Sequence, residues 1–227
     1  MVGIIGAMKI ETDALKSMLI NPKAETISGI EFVCGMLNTQ EVVVAQCGIG
    51  KVFAAMCAQT MILRYNVTEI VNIGVAGTLS AELGLLDIAI STAVVEHDMD
   101  TSPLGDPVGL ISGINVVEMP ACERLIKKIA KIATGMGKHC VCGVIASGDQ
   151  FIGDKGKKAY IRDTFDAIAC EMEGAAIGHV CYVNRVDFVI IRSISDNADD
   201  TAGAMEYPEL CRRAAEQSQK LIAAYFA

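Results

Sequence analysis

The sequence predicts a single α/β domain over residues 1–227, built as three α/β/α layers around a central mixed β-sheet. Three observations lead there. Short apolar runs alternate with amphipathic or small-residue stretches along all 227 residues, with no Pro/Ser-rich linker between them. Most of these runs are continuous rather than alternating, and the mean hydropathy is high at +0.42, as for strands covered on both faces. One early segment, residues 26–46, reads instead as a meander of short strands, which makes the sheet mixed. With 52% hydrophobic and 20% charged residues, the chain has enough apolar side chain to bury a full core.

The elements follow in order. Residues 1–6 are an apolar run ending in Gly6 and residues 8–20 are amphipathic, so they read as strand, turn and helix. Asn21-Pro22 stops that helix. Within residues 26–46, β-branched runs are broken at Ser28-Gly29 and Asn38-Thr39. Gly48-Ile49-Gly50 opens a helix over residues 51–64, and its Ala54, Ala55, Cys57 and Ala58 predict a buried one. Residues 69–74 form a strand that ends in a Gly-x-x-Gly turn at residues 74–77. Residues 87–97 form a long strand, and residues 101–113, rich in Pro and Gly, form a loop. A helix over residues 120–134 precedes a strand over residues 140–146, which ends at Ser147-Gly148-Asp149. Residues 155–162 are helical, and residues 168–170 are a short strand running through Glu171-Met172-Glu173-Gly174 into a helix that reaches about residue 182. Residues 188–193 are a last buried strand ending at Ser195-Asp196, and Leu210, Ala214, Leu221, Ile222 and Tyr225 mark one face of a closing helix over residues 209–226.

Composition excludes several partners. Nineteen basic against 27 acidic residues leave a net charge of −8, and a pI near 4.9 argues against nucleic acid and against an anionic membrane surface. The absence of Trp and only 5% aromatics remove stacking platforms for single strands. No run reaches the ~18 apolar residues of a spanning helix, and the first eight residues lack a basic n-region, so a cytoplasmic protein is expected. Nine Cys without a C-x-x-C read as reduced, mostly buried thiols. The three His have no metal-ligand spacing, and no H-E-x-x-H occurs, so no metal is expected. Gly48-Ile49-Gly50 lacks the third Gly of a dinucleotide fingerprint and G-x-x-x-x-G-K-[ST] is missing, so no cofactor is expected.

In open α/β sheets ligands sit beyond the carboxyl ends of strands. The polar residues there are Met8 and Glu11, then Gly74–Gly77, then Ser147 to Ile152, then Glu171-Met172-Glu173, then Arg192 with Ser195-Asp196. Each also has a structural explanation. Glu11 fits the first turn of a helix for dipole reasons, Asp196 fits a cap or Asx-turn, and Arg192 fits an internal ion pair. The i, i+2 spacing of Glu171 and Glu173 lets at most one of them face a given pocket.

Six collinear motifs sharpen this. They are Gly3-Ile4-Ile5-Gly6-Ala7-Met8 with Glu11, Cys47-Gly48-Ile49-Gly50-Lys51-Val52, Asn72-Ile73-Gly74-Val75-Ala76-Gly77, Ala146-Ser147-Gly148-Asp149-Gln150-Phe151-Ile152, Glu171-Met172-Glu173-Gly174-Ala175-Ala176, and Arg192-Ser193-Ile194-Ser195-Asp196. In order and spacing the chain resembles the bacterial 5′-methylthioadenosine/S-adenosylhomocysteine nucleosidases of the nucleoside phosphorylase and hydrolase superfamily. The resemblance implies a nucleoside phosphorylase-like fold and hydrolysis of the N9–C1′ bond of a 5′-thio-substituted adenosine, without cofactor, in methionine salvage. It implies Asp196 as the acid that protonates the leaving base and Glu11 as the base that activates water. It places Met172 and Glu173 on the ribose, the main chain of Ile152 on the adenine edge and the Phe151 ring against the base. Gly77, Met8, Ser195 and Tyr207 become further substrate contacts, and Arg192 stands near the nucleophilic water. It also implies a homodimer in which residues 101–107 reach the partner's site, with Leu104 in the partner's 5′ pocket. There the sequence departs from the family, because Leu104 and Asp106 stand where aromatics are expected and Val75 where some members carry a hydroxyl. The choice among methylthioadenosine, S-adenosylhomocysteine and 5′-deoxyadenosine therefore stays open. Two alternatives remain: a phosphorylase, disfavoured because residues 7–11 carry no Arg and residues 72–77 no cation, and a nucleoside-binding module without turnover.

Overall fold

The computed structural model describes residues 1–196 and 207–227, with Tyr207 placed by its backbone alone. Strand β1 (Val2–Gly6) leads into α1 (Lys9–Ser17), and β2 (Ile20–Ile27), β3 (Ile30–Leu37) and β4 (Gln40–Gln46) follow. Next come α2 (Lys51–Tyr65), β5 (Glu69–Thr78), β6 (Ile88–Glu96), a 3-10 turn at Ser102–Leu104, β7 (Met119–Pro120) and α3 (Glu123–Gly135). The chain ends with β8 (Cys140–Ser147), α4 (Lys155–Phe165), β9 (Ala167–Glu171), α5 (Gly174–Asn184), β10 (Asp187–Asp196) and α6 (Tyr207–Tyr225).

The strands form one mixed sheet. β1 lies between β4 and β5, parallel to both, and β3 and β2 extend the β4 side as an antiparallel wing. On the other side the sheet closes on itself. β5 pairs with β10 in parallel, β10 with β6 antiparallel, β6 with β8 and β8 with β9 in parallel. β9 then returns to the end of β5 through Gly77–Cys170 and Thr78–Ala169. The molecule is thus a ring of strands with an open wing.

Alternating side chains of β1 feed two cores, as the period of a strand dictates. Val2 and Ile4 pack with Leu15 of α1, Leu125 and Ile129 of α3 and Leu221 and Ile222 of α6. Ile5 packs on the other face with Ala54, Cys57, Ala58 and Met61 of α2 and Ala175 and Ile177 of α5. The small residues of α2 let its inner face lie close to α5, but the buried helix expected from its composition is buried on that face only, since Val52, Phe53, Met56 and Leu63 are exposed on the other. A third cluster sets Ile161 and Phe165 of α4 against Ala146, Ala167 and Cys170.

Some boundaries differ from the sequence reading. The Gly-x-x-Gly at residues 74–77 is not a turn: β5 runs straight through it, because β10 and β9 supply hydrogen-bonding partners on both sides. The first helix ends at Ser17, and Asn21-Pro22 lies inside the edge strand β2. Pro22 is tolerated there because it falls in the register break between Ile20 and Lys23, the kind of bulged edge position that accepts proline. Residues 119–120 pair with β6 before α3 begins at Glu123. Cys47, Cys57, Cys170 and Cys181 are buried as expected, but Cys142 is exposed. Among the described residues no helix is long and apolar enough to cross a membrane.

Candidate active site

The carboxyl ends of β1, β5, β9 and β10 meet at the rim of the ring, around a cleft open to solvent. Met8 and Glu11 enter from the end of β1, Val75 and Gly77 from β5, Phe151 and Ile152 from the segment after β8, Glu171, Met172 and Glu173 from the β9–α5 corner, and Ser195 and Asp196 from β10.

Glu11 is the third residue of α1 and reaches back over the helix start. Its Oε2 accepts from the backbone N–H of Ala7 at 2.7 Å and of Met8 at 2.9 Å, the carboxylate half of a capping box. Oε1 is turned toward β5, where a Cβ at Gly74 would stand 3.3 Å from Oε1 and 3.3 Å from Cζ of Arg192. A side chain there would crowd both groups. Burial raises the Glu11 carboxyl above its usual range, against the lowering pull of the Met8 N–H, the Arg192 charge and the Ala7 N–H.

Glu171 ends β9 and is saturated. It accepts from Ser147 Oγ, from the N–H of Glu173 at 3.0 Å and of Gly174 at 2.9 Å, and from Arg192 Nε at 3.1 Å and Nη2. Burial pushes this carboxyl up, but the Arg192 guanidinium and these donors outweigh it and hold the group below its usual range. Glu173 stands at the N-cap position of α5 without a side-chain cap bond, and its carboxylate accepts instead from the Gly50 N–H at 2.9 Å. Burial and the neighbouring Glu171 charge push it up to about 7.

Asp196 is different again. Gly77 lies directly beneath it, and a Cβ there would meet Asp196 Oδ1 at 2.5 Å. Oδ1 is buried without a hydrogen-bond partner among the described residues, and Lys158 Nζ stands 3.5 Å from it. Burial raises the Asp196 carboxyl, with Lys158 opposing. Two acids with raised proton affinity therefore enter one cleft from β1 and β10, an arrangement suited to paired acid and base work.

The sequence profile of the phosphorylase superfamily matches residues 1–227. The chain belongs to this superfamily. A 5′-methylthioadenosine/S-adenosylhomocysteine nucleosidase of Shewanella halifaxensis is 37% identical over 225 residues, covering 98% of this chain and 97% of the relative. An aminodeoxyfutalosine nucleosidase of Helicobacter pylori is 37% identical over 224 residues, covering 97% of this chain and 96% of the relative. Among solved structures, a mutant of the Helicobacter pylori nucleosidase with 5′-methylthioadenosine in its active site superposes with a TM-score of 0.92 at 33% identity, covering 99% of this chain and 96% of that one. The Neisseria meningitidis nucleosidase in complex with methylthio-immucillin-A superposes equally well, with a TM-score of 0.92 at 32% identity over 99% of this chain and 97% of that one. Within the superfamily the chain therefore falls among the nucleosidases, and the nucleoside phosphorylase-like fold holds throughout.

The nucleosidase cleft gathers Met8, Glu11, Gly77, Phe151, Ile152, Met172, Glu173, Ser195 and Asp196. Arg192 is fully buried behind its wall, paired with Glu171 and donating to Asn72 Oδ1 at 2.5 Å. Leu104 lies outside the cleft and is 84% exposed. The side chain of Tyr207 lies outside the described residues. Glu171 and Glu173 both border the cleft, but as expected only one of them, Glu173, offers it a carboxylate: the Glu171 side chain is 2% exposed and engaged by Arg192, Ser147 and backbone donors. Sequence reasoning missed Lys158. Its signal was present, for it lies on the same α4 stripe as apolar Ile161 and Phe165, where a lysine is out of place.

Proposed function

We propose that the protein hydrolyses the N-glycosidic bond of 5′-methylthioadenosine and S-adenosylhomocysteine, releasing adenine and the 5-thio-substituted ribose. The observation that carries this is the placement of Glu11 and Asp196 in one cleft, entering from β1 and β10 with Glu173 and Met172 alongside. Adenine leaves poorly as an anion, so Asp196 gives its proton to N7 as the C1′–N9 bond breaks. Glu11 has Oε2 occupied by backbone donors and Oε1 available to take a proton from water. That water attacks C1′ from the opposite face of the sugar, as in an inverting glycosidase. Glu173 accepts from the ribose hydroxyls and its negative charge favours an oxocarbenium-like transition state. Phe151 is 68% exposed at the mouth, in place to fold over the base, and buried Ile152 offers its main chain to the adenine edge.

Among the described residues no Lys or Arg lines the cleft, which argues against a phosphate co-substrate. The test is adenine release with and without inorganic phosphate: free thioribose in both cases supports the reading, and a sugar 1-phosphate overturns it. A second reading concerns the 5′ group alone. A relative acting as an aminodeoxyfutalosine nucleosidase matches this chain at the same 37% as the methylthioadenosine relatives, so kcat/KM compared across those nucleosides, with 5′-deoxyadenosine included, decides the preference.

We also infer one domain over residues 1–227, acting in the cytoplasm as a homodimer. The wing joins the ring through the β1–β5 pairing, which supports the single unit. The outer face of α2 exposes Val52 (69%), Phe53 and Leu63 (72%), and Leu104 stands out from the loop before β7. A two-fold contact covers such a surface twice. Light scattering that finds an active monomer at micromolar concentration overturns the dimer.

A further inference from the structure

Lysine is rarely buried without a reason, and Lys158 is one of the few buried charges of this chain, 8% exposed on the inner face of α4. Its neighbours on the same helix face are Ile161 and Phe165, which pack into an apolar cluster with Ala146, Ala167 and Cys170. Its ammonium is directed at Asp196 Oδ1, 3.5 Å away, and makes no other ion pair among the described residues. That same oxygen is buried and lacks a hydrogen-bond donor among the described residues, and the glycine beneath it keeps any side chain away. Lys158 does not line the cleft, so it stands behind the acid rather than against the substrate.

We propose that Lys158 is a positioning residue for Asp196, the buried counter-ion that aims the acid and sets the pH at which it carries its proton. This rests on the reading of Asp196 as the group that protonates N7. The proton balance shows what the lysine does. Solvent protonates the Asp196 carboxyl, the proton passes to N7 as C1′–N9 breaks, and a carboxylate is left beside Lys158 Nζ. The ammonium stabilises that carboxylate, so it makes Asp196 a stronger acid and also lowers the pH up to which it stays loaded. Among the described residues no other group facing Asp196 offsets this. Lys158 comes from α4, the Cys170 thiol from β9 is itself pushed up to about 12 by burial and by the Asp196 charge, and Gly77 of β5 carries no charge. Glu11, Glu171 and Glu173 line other walls, and Arg192 is engaged by Glu171 and Asn72.

The experiment is the pH profile of kcat and of kcat/KM with 5′-methylthioadenosine for the wild type, Lys158→Met and Lys158→Arg. Loss of the charge raises the proton affinity of Asp196, so in Lys158→Met the alkaline limb of kcat/KM moves up by about one pH unit, as for removal of an opposite charge within ~4–6 Å. The plateau kcat falls several-fold because the acid is weaker, with KM little changed. Lys158→Arg returns the limb to within a few tenths of a unit of the wild type. Met keeps the length and suits the apolar surroundings; should it fail to fold, Lys158→Gln makes the same comparison. An unmoved alkaline limb in a folded charge-removing variant overturns the proposal, as does a limb that moves equally in Lys158→Arg. The parent reading fails separately: an active Asp196→Asn variant removes Asp196 as the acid, whereas an inactive Asp196→Asn with an unmoved limb in Lys158→Met removes only the role of Lys158.

Discussion

Glu171 and Asp196 end neighbouring regions of the same rim and are treated in opposite ways. At the β9–α5 corner, Glu171 has a guanidinium, a hydroxyl and two backbone N–H groups on its oxygens. It is held as a permanent anion and fixes the start of α5. At the end of β10, Asp196 has a buried oxygen without a hydrogen-bond donor among the described residues and one ammonium at 3.5 Å. The first arrangement makes structure, since a saturated carboxylate has no capacity left for a proton or a ligand. The second makes chemistry, since an under-satisfied, desolvated acid gains by taking a proton and can give it up to a base that arrives. Burial alone does not tell the two apart, and the number of donors does.

The sharpest way to break this contrast is at Asp196. Asp196→Asn is expected to lower kcat by ~10²–10⁴-fold, the range of a general acid, with little change in ligand affinity or Tm. Near wild-type turnover would show that another group carries the proton. The converse experiment is Glu171→Gln. It leaves the Arg192 charge buried and unpaired, so a loss of ~3–5 kcal/mol in unfolding free energy is expected, measured by denaturant titration. A variant of unchanged stability would mean that Glu171 is not the strut described.

A smaller perturbation tests how closely the acid is held. Gly77→Ala places a methyl group 2.5 Å from Asp196 Oδ1, and a displaced acid is expected to cost ~10²-fold in turnover at most while adenine binding persists. Unchanged kcat would show that Asp196 has room to move. The smallest effect is at Glu173, which lies between the two cases. Its folded proton affinity, near 7, exceeds the ordinary 4.5, so the native state binds the extra proton between those values. Its contribution to stability is present at low pH and is lost as pH rises through about 7. Glu173→Gln, which keeps an acceptor for Gly50 N–H, should match the wild-type Tm near pH 5 and exceed it above pH 7 by at least ~2–4 °C, the shift expected for each kcal/mol in a chain of this size. A constant difference across that pH range would locate the titration elsewhere.

Much of this architecture is legible in the residues. The continuous apolar runs at residues 1–6, 69–74 and 188–193 become the paired strands β1, β5 and β10, and the polar residues after them do reach one cleft. The errors arise where local signals have two meanings. Glycines 74 and 77 look like a turn, but they are there because Glu11, Arg192 and Asp196 press against the strand. Asn21-Pro22 looks like a stop, but an edge strand accepts it at a bulge. Whether Arg192 served the water or an ion pair could not be read from its position, since its partner Glu171 is 21 residues away and on another strand.

The sequence by itself determined the order of elements, the two apolar faces of β1, and which acids stand at strand ends, because hydrophobic period and turn chemistry act over a few residues. The tertiary structure decided what each acid became. Closure of the ring through β5, β9 and β10 brings Arg192 to Glu171 and Lys158 to Asp196, pairings across 21 and 38 residues of chain. Charge and desolvation are properties of the space around a group rather than of its neighbours along the chain, so the same kind of carboxyl becomes a fixed strut at one strand end and a proton carrier at the other.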